Sequence, residues 1–262
     1  MSLLSCLRLR LASPLGAALL LAACQSTPPG QTAAARAEER EKLAALHTQL
    51  GVEYMREGNL ELAVKKLDKA LEVSPGFVDA LNAQGLLYAR LGETDKADSA
   101  FQSALRRAPG NSFALNNYGQ FLCQQKRYAD GEARFLEAVK NPLYETPEVA
   151  LTNAGLCALA AGKAPQAEAH LRAALERNPE IPPALLALAQ LASDRGDLQD
   201  AQRYLGRLQQ AAPPTARSLA LGIRIERGLG NRDKVASYEL ALRNQFPDSA
   251  EAAELARGGR AP

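Results

Sequence analysis

Small and large apolar residues recur along this chain with a period of 34. The prolines mark it most directly: Pro75 and Pro109 are 34 residues apart, and so are Pro179, Pro213 and Pro247 in succession. From Pro109 to Pro179 the distance is 70, which is two periods plus two residues. That places a two-residue insertion near Asn141-Pro142-Leu143-Tyr144-Glu145-Thr146-Pro147. In phase with the prolines, a small residue closes the pairs Leu50-Gly51, Gln84-Gly85, Tyr118-Gly119, Ala154-Gly155 and Leu188-Ala189. Tyr54, Tyr88, Leu122, Ala158 and Ala192 follow three residues later. Four residues further on come Gly58, Gly92, Gly162 and Gly196, with Lys126 in the third unit. The second half of each unit carries Ala63, Ala97, Gly131, Ala167 and Ala201. Leu67, Phe101, Phe135, Leu171 and Leu205 come next, and then Ala70, Ala104, Ala138, Ala174 and Leu208.

Each position has a physical role in a pair of packed helices. Small residues let two helices cross closely, and the large residue fills the hole opposite. Glycine ends the first helix where a left-handed cap is needed. Proline follows the second helix, which it cannot continue. A fixed period of this length is the signature of a helical array. The pattern resembles the tetratricopeptide family over roughly Leu43 to Ser249. The resemblance implies an all-α, right-handed superhelix of about six helix-turn-helix units, near 44–77, 78–111, 112–147, 148–181, 182–215 and 216–249. The sixth unit reads as degenerate. Gly222 stands one place early, and Glu239 occupies the position where a large apolar residue is usual, while Gly230 and Pro247 are kept. A terminal repeat lacks a neighbour on one side, so a more polar face is expected there. The array is expected over 38–255, with 256–262 as a disordered tail.

Composition agrees with stacked helices. The chain is 47% hydrophobic but only 5% aromatic, with no Trp, so Ala and Leu must fill the interfaces. Net charge is +2, from 31 basic and 29 acidic residues, which gives no electrostatic footprint for nucleic acid. The four cysteines form no CxxC pair, and His47 and His170 lie far apart, so no metal site and no cofactor are expected. The glycines follow the turn period and build no phosphate loop. Ser, His and Asp occur in no nucleophile-elbow arrangement, so neither an enzyme nor a small-molecule substrate is expected. His47 falls where a first-helix residue packs, and His170 stands beside the packing residue Leu171; both read as structural or exposed.

The first residues read as an export signal. Arg8 and Arg10 give a basic start, Leu11 to Leu21 is mostly apolar, and Leu21-Ala22-Ala23-Cys24 ends the run. The run is too short to span a bilayer comfortably. The ending resembles a bacterial lipobox, which implies cleavage after residue 23 and a diacylglycerol on the sulfur of Cys24. By the same resemblance, Gln25 in place of Asp implies the periplasmic face of the outer membrane. Residues 24–37, with Ser26, Thr27, Pro28, Pro29, Gly30 and Gln31, read as a flexible linker.

In the tetratricopeptide resemblance, positions 2, 5, 9, 12 and 13 of each repeat face the inner surface. Candidate partner-binding residues there are Val52, Met55, Asn82, Leu86, Phe113, Asn116 and Gln120. Amides that hold backbone groups, mixed with apolar side chains, suit a bound peptide. Lysine is absent from the inner positions of the first four repeats, which argues against a carboxylate clamp. Cys123 and Cys157 lie on consecutive first helices, at positions 12 and 10. Export to an oxidising compartment makes a disulfide between them the expectation; two buried thiols acting as small hydrophobes are the alternative.

Three blocks go beyond a generic repeat: Asn116 to Cys123, Ala216 to Arg224, and the set Arg232-Asp233, Ala236-Ser237-Tyr238 and Phe246-Pro247-Asp248-Ser249. With the lipobox and six repeats, the chain resembles the type IV pilus biogenesis and stability lipoprotein family, the PilF/PilW pilotins. That resemblance implies binding of the pilus secretin as partner, support of its localisation and multimer assembly at the outer membrane, and hence twitching motility. An adaptor lipoprotein for another envelope machine, such as β-barrel assembly or peptidoglycan-enzyme recruitment, is the alternative reading.

Overall fold

The structure is a computed structural model and describes residues 32–258. Among these residues every regular element is a helix. The described residues fall into two units, 32–38 and 39–258. In the first unit the described residues open helix α1 (Ala33–Arg56), with Thr32 Oγ1 accepting from the backbone N–H of Ala35 at 3.2 Å. The linker expected to run to residue 37 therefore ends earlier. Ala33, Ala34, Ala35 and Ala37 are strong helix formers, and a capping threonine precedes them. Cys24 and the rest of the proposed signal and linker lie outside the described residues.

In the second unit the helices follow in pairs. α1 pairs with α2 (Leu60–Val73), α3 (Val78–Leu91) with α4 (Thr94–Arg107), and α5 (Ser112–Gln124) with α6 (Tyr128–Val139). Then α7 (Pro147–Ala160) pairs with α8 (Ala164–Arg177), α9 (Pro182–Arg195) with α10 (Leu198–Ala211), and α11 (Ala216–Gly228) with α12 (Arg232–Gln245). This is the tetratricopeptide superhelix. A last helix, α13 (Ala250–Gly258), packs on α11 and α12. It takes in the first residues of the stretch expected as a tail. Its amphipathic run begins just after Ser249, whose hydroxyl accepts from the N–H of Ala252 at 3.1 Å and caps it.

One contact recurs inside the repeats: a small residue on the first helix meets a large side chain sixteen positions later on the second. A Cβ built on Gly51 would lie 2.7 Å from Leu67, on Gly85 2.7 Å from Phe101, and on Gly119 2.8 Å from Phe135. On Gly155 it would lie 2.6 Å from Leu171. In the fifth repeat Ala189 takes the small position, and both it and Leu205 are buried. The sixth repeat follows the same rule one residue early: a Cβ on Gly222 would lie 2.9 Å from Tyr238. The large residue is Tyr238, not the residue at 239. The register expected from Pro247 was off by one, because the chain gains a residue between Tyr238 and that proline. Glu239 is consequently turned away from the packing position.

The turns inside the repeats carry glycine at positive φ, from 74° at Gly162 to 86° at Gly196. Lys126 fills the same place at φ 62° and is the one described residue other than glycine with positive φ. Its N–H still bonds the carbonyl of Cys123 at 3.0 Å, so the cap geometry is kept at a steric cost.

The insertion between α6 and α7 is pinned rather than loose. Asn141 Nδ2 donates to Ser112 Oγ at 3.2 Å, and that hydroxyl donates to the Ala138 carbonyl at 3.1 Å. Asn141 Oδ1 accepts from the N–H of Leu143 at 3.0 Å. Tyr144 is buried, while Leu143 beside it is 85% exposed.

Two buried carboxylates tie helices together. Glu132 on α6 accepts from Gln166 Nε2 at 2.6 Å and faces His170 Nε2 at 2.7 Å, both on α8. His170 is thus half-buried and structural. Glu226 accepts from Gln202, Asn231 and Lys234. Burial alone would raise its carboxyl, but those three donors outweigh burial and hold it below the ordinary carboxylate value.

The sixteen-residue contact makes a prediction. Replacing a helical glycine by alanine ordinarily stabilises by about 1 kcal/mol, whereas forcing a methyl into a filled contact costs roughly 1–3 kcal/mol. Gly85→Ala and Gly222→Ala should both lower stability in denaturant melts. A stabilising Gly222→Ala would show that the sixth repeat is not packed like the second.

Candidate functional site

The inner positions of the first four repeats fall into two groups. Val52 is 42% exposed, Phe113 53% and Leu156 39%, so these three large apolar side chains face solvent. Gln120 is exposed beside them. Met55 and Leu86 are half-buried and do structural work as well. Met55 packs against the cluster of Ala63, Leu67, Ala83 and Leu87, and Leu86 packs against Phe101, Tyr118, Phe121 and Leu122. Phe113 is braced from below by Tyr144 of the insertion, with ring centroids 5.4 Å apart and planes at 90°. Such edge-to-face pairs hold ring orientation.

Asn82 and Asn116 are half-buried, and their carboxamide oxygens are engaged within the fold. Asn117 Nδ2 donates to Asn82 Oδ1 at 3.2 Å, from α5 to α3. Asn153 Nδ2 donates to Asn116 Oδ1 at 3.0 Å, from α7 to α5. The expectation that these amides serve a partner's backbone is narrowed accordingly: the oxygen of each is used, and the Nδ2 group remains. Asn117 and Asn153 were not among the expected site residues. The signal for them was an asparagine one place after the inner position, recurring at 36 residues, which is one period plus the insertion. Arg90, also at an inner position, donates from Nη1 to the carbonyl of Met55 and ties the end of α1 to α3.

Cys123 and Cys157 are joined by a disulfide, with Cα atoms 5.8 Å apart. Cys157 is buried and Cys123 half-buried. The bond links α5 to α7, adjacent first helices, at the boundary where the two extra residues enter the chain. It also explains Gly131, which stands where the other repeats have alanine. A Cβ there would collide with Cys123 Sγ and would lie 2.8 Å from the Gly119 carbonyl oxygen.

His47 is half-buried on α1, and its Nδ1 is buried without a hydrogen-bond partner. Among the described residues no group of three or more His, Cys, Asp or Glu could hold a metal ion. Among them, too, no helix is long and apolar enough to cross a membrane.

A stack of helical hairpins with an apolar, amide-bearing inner surface is a binding scaffold of the tetratricopeptide class. The family model "Tetratricopeptide repeat" matches residues 48–112, 83–146 and 158–221. The chain is 35% identical over 216 residues to the type IV pilus assembly protein PilF of Pseudomonas aeruginosa, covering 82% of this chain and 86% of that one. The solved structure of Pseudomonas aeruginosa PilF superposes with a TM-score of 0.76 at 34% identity, over 84% of this chain and 99% of that one. PilW, described as a widely conserved type IV pilus biogenesis factor, superposes with a TM-score of 0.74 at 34% identity, over 81% and 97%. A tetratricopeptide repeat protein of Parabacteroides merdae shares the fold at 20% identity, with a TM-score of 0.59. The chain belongs to the PilF/PilW family of type IV pilus tetratricopeptide-repeat proteins.

The disulfide closes a loop with a sequence separation of 34. A cross-link of that span is worth roughly 3–4 kcal/mol by chain entropy. Reductant should therefore lower the melting temperature of the native chain, and Cys123→Ser/Cys157→Ser should melt at that lowered temperature with or without reductant. Equal melting of native and double variant under oxidising conditions would show that the bond adds nothing.

Proposed function

We propose that this chain is a lipoprotein scaffold of type IV pilus biogenesis, a pilotin that binds the pilus secretin and promotes its assembly into multimers at the outer membrane. It acts by binding, not by catalysis. The observation that carries this reading is the match to PilF, which extends over 82% of the chain. The exposed apolar side chains on the first helices support a binding role, because solvent-facing large hydrophobics grouped on one surface mark interaction sites. Val52, Leu156 and Phe113 offer apolar purchase, with Met55, Leu86 and Gln120 beside them. The free Nδ2 groups of Asn82 and Asn116 supply donors to a partner's backbone. In this reading Cys24 carries lipid and holds the scaffold to the periplasmic face of the outer membrane. Stable anchoring takes more than one acyl chain, which a triacylated cysteine provides.

The test separates groove from anchor. Val52→Asp and Phe113→Asp place a charge on exposed sites and should leave folding intact. Each should reduce secretin multimers and surface pili in cells and abolish capture of secretin from detergent-solubilised membranes. Cys24→Ser should keep capture but mislocalise the multimers. Normal multimers and pili in both groove variants would rule the groove out.

A further inference from the structure

The departures of the sixth repeat converge on one cleft. With Tyr238 as the packing residue, Glu239 turns into the wall of a cleft of about 820 Å³ bounded by α9, α11, α12 and α13. Its floor is apolar: Leu221, Ile223 and Leu242 are buried beneath it. One wall is basic. Arg217, Arg224 and Arg227 line it, and their spacing of seven and three residues puts them on one face of α11. Arg243 joins them from α12. Internal carboxylates neutralise part of this charge. Asp194 holds Arg224 at 2.9 Å, and Glu239 is shared between Arg227 at 3.0 Å and Arg243 at 3.5 Å.

The opposite wall is α13, which brings Glu251, Glu254 and Leu255 to the same cleft. Among the described residues neither glutamate is ion-paired with an arginine. The helix is lightly held. It has nine residues, and helices shorter than about 12–15 residues are marginal on their own. Ala252 is its one buried side chain, and Leu255 is half-buried against Leu219, Ile223 and Leu242.

We propose that this cleft is a second docking site, for an acidic amphipathic helix of a partner protein, and that α13 is the built-in stand-in which such a helix displaces. α13 displays the chemistry that this face accepts: carboxylates on the side of the arginine wall and a leucine on the apolar floor. When α13 leaves, its two carboxylates leave with it. The cleft then keeps four guanidiniums against the two carboxylates of Asp194 and Glu239. An acidic helix restores the balance; a neutral or basic one does not. The site lies on the sixth repeat, away from Val52 and Phe113, and does not depend on the secretin reading.

The test uses the full mature chain without lipid. A fluorescein-labelled peptide of roughly 14 residues, long enough to form helix, carries Glu, Ala and Leu in the spacing of α13. A second peptide has Gln for every Glu. Fluorescence anisotropy should show saturable binding of the Glu peptide, weakened about tenfold by the Gln exchange or by high salt, as expected for charge-guided docking. Arg217→Glu should weaken it by about tenfold, and Arg217→Gln by less, since the first adds repulsion. Leu255→Ser, which loosens α13, should tighten binding, and Val52→Asp should leave it unchanged. Melting curves confirm that each variant is folded. No saturable binding, equal binding of the two peptides, or indifference to both Arg217 variants overturns the proposal. Weaker or unchanged binding in Leu255→Ser overturns the displacement by α13. Self-association in sedimentation that Arg217→Glu abolishes would assign the face to a second copy instead, and also overturns it.

Discussion

The structure depends on one close approach made again in every repeat: a residue with little or no side chain, and a large side chain sixteen positions later that occupies the space left. Glycine at 51, 85, 119, 155 and 222 carries no Cβ because the partner's ring or isobutyl group already stands there. This contact fixes how near the two helices of a hairpin come. That separation in turn sets where the next hairpin docks and which side chains line the inner surface. Protein interiors are packed densely enough that a single added methyl is felt. A stack built on such contacts holds its inner face rigidly without needing large aromatic cores, which is why a chain with so few rings can carry one.

Much of this was legible in the sequence, because the contact has a fixed spacing and the turn glycine another. The two cysteines could be placed on neighbouring helices from the period alone. What escaped had different physics. The asparagine pairs cross from one repeat to the next, at separations of 35 and 37, so neither partner's role shows within a single repeat. Tyr238 was hidden because the register was counted back from Pro247, and the one-residue shift lies inside α12, which still ends two residues before its proline as α2, α4, α8 and α10 do. Helix α13 follows the last period and so carries none of its marks. The early start of α1 is a matter of alanine propensity overruling the Pro- and Gly-rich stretch before it.

The stack presents two chemical regimes. Toward the first repeats its inner surface is apolar, with amides held in place by one another and the ring of Phe113 braced by the insertion. In the sixth repeat a cleft is walled by guanidiniums partly matched by internal carboxylates. The apolar part gains affinity from surface removed from water. The charged part gains selectivity and encounter rate, and salt screens it.

The disulfide and the insertion lie at the same boundary, and together they restrict the history open to the molecule. Solenoids gain and lose length by duplicating or deleting whole units, since each unit contacts only its neighbours. Between Cys123 and Cys157 that freedom is absent. A unit slipped in there would part the two sulfurs, strand Gly131 beside an unpaired thiol, and carry Tyr144 away from the ring of Phe113. The array can lengthen or fray at either end, but its middle is a fixed point from which the number of repeats on each side is counted.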